Sequence, residues 1–154
     1  GRGAFSESTG IETVVLPLIL PFIPEACFNY CKNLEHIRIP PTVRAIEKEA
    51  FKGCTSLQSM DLPESVTTLG TQTFMNCTSL TSITIRSPNI QFGDLVFKNC
   101  YALSTITIHH PWLWSRLFAS MLMTPVDDDD NGDPIGVVVD NSIIDVGDAD
   151  ADAD

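Results

Sequence analysis

No stretch of this 154-residue chain is apolar and unbroken for the ~18 residues that a membrane-spanning helix needs. The most apolar run, Thr13 to Ile23, is interrupted by Pro17 and Pro21. Basic excess is missing too. The net charge of −11 arises in residues 126–154, which hold eleven Asp and no Lys, Arg or Glu, whereas residues 1–125 balance nine acidic against nine basic side chains. Without a cluster of Lys and Arg to neutralise phosphates, nucleic acid is not expected as the main partner. There is no Cys-x-x-Cys pair, so the five cysteines do not spell a zinc site. Nor is there a strained nucleophile turn or a glycine-built oxyanion site. His36, Ser59 and Asp61 supply the residue types of a hydrolase triad, but nothing else supports catalysis, and neither an enzyme nor a cofactor is expected.

What the chain does have is a period of 23 residues. Phenylalanine stands at 5, 28, 51, 74 and 97, and cysteine at 31, 54, 77 and 100, with Ser8 opening that column. Leucine stands at 34, 57, 80 and 103 after Ile11. Two more apolar columns follow, Val14/Ile37/Met60/Ile83/Ile106 and Leu16/Ile39/Leu62/Ile85/Ile108. A period in the twenties marks a solenoid, in which no single coil can bury its own apolar face and stacking does so instead. Within one unit, Leu57-x-x-Met60-x-Leu62 predicts a short strand with one buried face, stopped by Pro63. Val66 and Leu69 return to the interior, Gly70 allows a bend, and a single helical or 3₁₀ turn is expected to carry Phe74 inward. The coils are 4–27, 28–50, 51–73, 74–96 and an incomplete one from 97 to 110. Four cysteines share one internal column and Cys27 aligns with Ala50, so buried thiols are expected rather than disulfides, a framework that Ser8 would break. Adjacent coils would still bring these thiols near disulfide distance. No initiator methionine or targeting segment opens the chain, and Ala4-Phe5 already stands mid-unit, which predicts a fragment lacking earlier coils and any secretion signal.

The string AFKGCTSLQSMDLPESVTTLG resembles the BspA-type leucine-rich repeat, and the likeness extends from residue 4 to about residue 110. The resemblance implies an α/β leucine-rich-repeat solenoid of short strands and single helical turns, with binding on the sheet face. It implies an extracellular or cell-surface location; unpaired thiols point the other way, to a reducing, cytoplasmic one.

Beyond the array (1–110), Pro111 and the apolar pattern at 113/114, 117/118 and 121/122 predict an amphipathic C-terminal capping helix over 111–123, its tryptophans covering the core. The remainder, 124–154, is acidic and aromatic-free, the composition of a disordered tail. In it Asp127, Asp129, Asn131 and Asp133 have the alternate spacing of a calcium loop, but Val138 stands where a bidentate Glu belongs, so the expectation is weak calcium association only. Val137 to Val139 and Ile143 to Val146 are short β-prone runs able to add a strand to a partner's sheet edge, and the second resembles a SUMO-interacting motif.

The outward positions of the expected strands read Thr13/Val15, His36/Arg38, Ser59/Asp61, Ser82/Thr84 and Thr105/Thr107. Adjacent coils would set these side chains about 5 Å apart in a ladder. One reading is a polar strip, carried by His36, Arg38, Ser59, Asp61, Ser82, Thr84, Thr105 and Thr107, that recognises a protein or a glycan without catalysis. The other is a solvated face on a structural spacer, with Arg38 and Asp61 pairing across coils.

Overall fold

A computed structural model describes residues 1–113 and 115–117. The chain is a solenoid in which each of the first four coils contributes one strand to each of two faces and the incomplete fifth contributes one. On one face lie β1 (Thr13–Val15), β3 (His36–Arg38), β5 (Ser59–Leu62), β7 (Ser82–Ile85) and β9 (Thr105–Ile108). On the other lie the two-residue strands β2 (Phe22–Ile23), β4 (Ala45–Ile46), β6 (Thr68–Leu69) and β8 (Gln91–Phe92). All pairing is parallel and offset by one repeat, as in Met60↔Ile83↔Ile106 and Ile46↔Leu69↔Phe92.

The shorter strands form one continuous sheet, β2-β4-β6-β8, but the longer face is split into β1-β3 and β5-β7-β9. At the break one ladder donor is missing, as it is at Pro40 between the paired β1 and β3. Arg86 and His109 donate their N–H groups to Leu62 and Ile85 of the coil before. Pro63 holds the same place at the β3–β5 junction and has no proton to give.

The expected columns form the core. Five phenylalanine rings stack almost parallel, with centroids 5.4, 5.4, 5.5 and 5.7 Å apart. Phe28, Phe51 and Phe74 are fully buried, and Phe5, with a neighbour on one side only, is 45 % exposed. Each column thiol donates to the carbonyl of the preceding coil's phenylalanine: Cys31 to Phe5, Cys54 to Phe28, Cys77 to Phe51 and Cys100 to Phe74, at 2.9–3.2 Å. All five cysteines are free and buried. Burial pushes their thiols up, that of Cys100 to about 12, because the thiolate would lose its hydration. In the fourth coil Ile90 fills the column of Val43 and Val66 one residue late, which accounts for the irregular return stretch there.

The link before each cysteine differs from a helical turn. It consists of successive i→i+3 turns, such as Met75 N–H to Gln72 O and Cys77 N–H to Phe74 O. Between them the backbone swings to positive φ at two places per coil. One column reads Gly3, Ala26, Glu49, Gln72, Leu95 and the other Glu7, Tyr30, Gly53, Asn76, Asn99. That alternation turns every second N–H toward the next coil, so that Gln72, Phe74 and Asn76 donate to Asp94, Val96 and Lys98. A helical turn would spend those donors internally. Gly70 also differs from expectation. Its φ is not left-handed, and its importance is proximity: a Cβ there would collide with the backbone of Glu47 and Lys48.

At the far end a 3₁₀ turn, Pro111–Leu113, leads into helical residues 115–117. Leu113 and Leu117 are fully buried in the core. Trp112 does not cover it. That side chain is 63 % exposed, donates its indole N–H to Pro88 O at 3.1 Å and lies tilted against His110. The rest of the expected capping helix and the whole acidic tail lie outside the described residues.

Candidate functional site

The pleat of a strand sends alternate side chains to opposite faces, so burying Met60, Leu62, Ile83, Ile85, Ile106 and Ile108 forces their neighbours outward. Parallel register then aligns these neighbours in rows. Ser59, Ser82 and Thr105 make one, and Asp61, Thr84 and Thr107 the next. Ser59 and Asp61 are exposed, and the other four are half-buried. Among the described residues the hydroxyls of Ser59, Ser82, Thr84, Thr105 and Thr107 take no protein hydrogen-bond partner, which leaves each free to donate and accept toward a ligand.

His36 and Arg38 are equally exposed, but they belong to the separate β1-β3 sheet, opposite Thr13 and Val15. The eight expected residues therefore fall into two panels, six in one and two in the other. His36 contacts Glu35 at 4.0 Å. The expected Arg38–Asp61 pair does not form. Asp61 instead receives two hydrogen bonds from Arg86, Nε to Oδ1 at 2.8 Å and a terminal nitrogen to Oδ2 at 3.0 Å. These bonds and the carboxylate charge raise the guanidinium's already high pKa. A fork-to-carboxylate contact is geometrically specific, but this one is open to water and contributes little to stability.

Arg86 is the member of this surface that sequence reasoning missed. Its signal was positional: two residues after Thr84 it continues the outward alternation, in the column where Pro17, Pro40 and Pro63 stand. Together the rows form a flat, nearly neutral surface of hydroxyls with one ion pair along an edge. Such a surface can hydrogen-bond an extended or polyhydroxylated ligand. No group of three or more His, Cys, Asp or Glu able to hold a metal occurs among the described residues. Asp127, Asp129, Asn131 and Asp133, the expected calcium ligands, lie outside them. No helix among the described residues is long and apolar enough to cross a membrane.

The family model described as a BspA type leucine rich repeat region, in six copies, matches residues 1–114. Three solved structures are similar. A leucine-rich repeat protein from Bacteroides ovatus is 29 % identical with a TM-score of 0.65, over 69 % of this chain and 27 % of that one. A leucine-rich repeat protein from T. pallidum is 27 % identical with a TM-score of 0.66, over 69 % of this chain and 50 % of that one. A leucine-rich cell surface protein from Faecalibacterium prausnitzii is 28 % identical with a TM-score of 0.52, over 71 % of this chain and 36 % of that one. The matched part thus spans between about a quarter and a half of these proteins' length. No curated protein matches the chain.

Proposed function

Because the chain belongs to the BspA-type leucine-rich repeat family, we propose that its array is a non-catalytic recognition module that takes a protein segment or a glycan along the β5-β7-β9 face. The single observation that carries this reading is the pair of rows in which five unengaged hydroxyls stand in register beside Asp61 and Arg86. A ligand lying across the strands meets chemically similar rungs at each coil, which suits a repeating or extended partner. His36 and Arg38 offer a second panel, carrying the Arg38 cation, beyond the sheet break. The cell surface is the setting that the F. prausnitzii protein's description suggests. Weak calcium binding by Asp127, Asp129, Asn131 and Asp133 remains a separate proposal for the tail.

The test compares the unaltered chain with Thr84→Lys/Thr107→Lys and with His36→Ala/Arg38→Ala/Asp61→Ala on glycan and peptide arrays. Circular dichroism verifies that both variants fold. The recognition reading expects discrete ligands for the unaltered chain and their loss in the lysine variant at unchanged circular dichroism. An array pattern that neither set of substitutions alters would leave the coils as a spacer.

A further inference from the structure

Several hydroxyls of the array are spent on structure. Thr42, Thr55, Thr67, Thr73, Thr81 and Ser104 each donate to a backbone carbonyl of the coil before. Those on the β5-β7-β9 face have no such carbonyl within reach. The ladder occupies the carbonyls in the plane of the sheet, and the side chains stand off it. Ser59, Ser82, Thr84, Thr105 and Thr107 each keep an O–H to donate and lone pairs to accept. Along a row these groups recur at the strand spacing of about 4.8 Å. Asp61 and Arg86, joined by two hydrogen bonds and both exposed, keep further acceptors and donors open to water. No apolar side chain stands among the outward members of the two rows.

These properties separate the classes of partner. A peptide draws its affinity from apolar anchors sunk in pockets or from backbone pairing at a free strand edge. The rows hold no apolar anchor site, and β7 at their centre is paired on both sides. An anionic polymer needs basic excess, whereas Asp61 cancels Arg86 and Glu64 adds negative charge close by. What complements the panel is an uncharged molecule rich in hydroxyls on neighbouring carbons, which an Asp–Arg fork or a pair of threonines can bridge. Such a molecule also has an apolar aspect, the C–H faces of its rings. Trp112 is 63 % exposed, and its indole is fixed by the 3.1 Å bond to Pro88 O and the His110 ring at 4.8 Å. Pro88 stands two residues after Arg86 and His110 one after His109, which shares the Arg86 column, so the indole lies at the margin of the rows. Its electron-rich face attracts polarised C–H groups, and its fixed orientation lowers the entropy cost of a contact.

We propose, resting on the recognition reading above, that the ligand is a neutral glycan lying across β5, β7 and β9, its hydroxyls bonded to the two rows and to the Asp61–Arg86 pair and one sugar ring stacked on Trp112. The threonine and serine hydroxyls fix the sugar's orientation, and the indole supplies the apolar contact that the rows lack.

The full chain is applied to arrays of neutral, uronate and sulfated oligosaccharides and to a peptide library, and each ligand retained is titrated by calorimetry. Trp112→Ala, Trp112→Phe, Asp61→Ala/Arg86→Ala and Thr84→Lys/Thr107→Lys are compared with it, circular dichroism verifying that each folds. Neutral oligosaccharides should be retained, weakened about tenfold by Trp112→Ala, restored by Trp112→Phe, weakened by the Asp61/Arg86 change and lost in the lysine variant. Peptides retained instead, lost in the lysine variant but indifferent to Trp112→Ala, would overturn the glycan assignment and leave the recognition reading in place. Preference for uronate or sulfated oligosaccharides would overturn it as well, since charge would then govern binding. Neutral glycans indifferent to Trp112→Ala would overturn the stacked pose. No ligand in either library, or ligands that no variant affects, would remove this proposal and the recognition reading together.

Discussion

Replacing Phe51 by Ala and, separately, Phe5 by Ala probes whether the stacked rings act as the architecture implies. Phe51 is fully buried between rings at 5.4 and 5.5 Å, whereas Phe5 is 45 % exposed with one ring at 5.4 Å. Truncating a buried phenylalanine costs about 3–5 kcal/mol, from lost transfer free energy and the cavity left behind. Phe5 should cost roughly half as much or less, since part of its surface is already wet and it has one stacking partner. Against a typical domain stability of about 5–15 kcal/mol, the Phe51 change is severe and the Phe5 change tolerable. Urea unfolding followed by circular dichroism under reducing conditions measures both. In a linear array the Phe51 variant should also show a shallower slope, because a defect in the middle uncouples the coils on either side. A Phe28→Ala/Phe51→Ala cycle should reveal coupling of about 0.5–1.5 kcal/mol, and a Phe28→Ala/Phe97→Ala cycle none. If Phe5→Ala proved as costly as Phe51→Ala, or if the distant pair coupled as strongly as the adjacent one, the stack could not be the spine of the fold.

Three further expectations follow from the same geometry. Ala26 sits at φ 54°, so Ala26→Gly should raise stability by about 0.5–1 kcal/mol in thermal melts, the reverse of the usual effect of glycine. Gly70→Ala should cost about 1–3 kcal/mol, because backbone rather than a movable side chain blocks the new methyl group. The buried thiols predict alkaline sensitivity. Their folded pKa values are raised, so their contribution is complete below the unfolded value near 9 and declines as pH climbs toward about 12 for Cys100. Each such thiol contributes a slope of about −1.4 kcal/mol per pH unit in that window. The urea midpoint should therefore drop between pH 8 and pH 10.5, and less so in Cys54→Ala/Cys77→Ala.

The internal columns were legible in the sequence because a stack constrains every rung in the same way. Phe28, Phe51 and Phe74 meet one another, so the same shape is required at each period. Features joining unlike positions were not legible. Arg86 reaches Asp61 across one coil plus two residues, from a column otherwise read as strand-stopping proline. The left-handed backbone pairs left a trace in Gly53, Asn76 and Asn99, but Ala26, Glu49 and Leu95 adopt the same conformation without the residue types that favour it. Their reason is the hydrogen-bonding demand of the neighbouring coil, which no local propensity encodes. Trp112 misled because its apolar bulk suggested cover for the core, a place taken by Leu113 and Leu117. The candidate site was legible as an outward row, while its division into two panels was not, because the repeat pattern continues unbroken across the β3–β5 junction.

The thiol-to-carbonyl bonds have a mechanical consequence. Each ties a cysteine to the phenylalanine of the coil immediately before it, and the ring stacking and backbone ladders reach equally short distances along the array. Among the described residues no brace spans several coils. Tension on the amino terminus would load one junction at a time, and the array would yield like a zip fastener, each released coil paying out about 75–80 Å of chain. A protein built this way can give ground in small steps when its two ends are pulled apart, keeping the coils farther in folded.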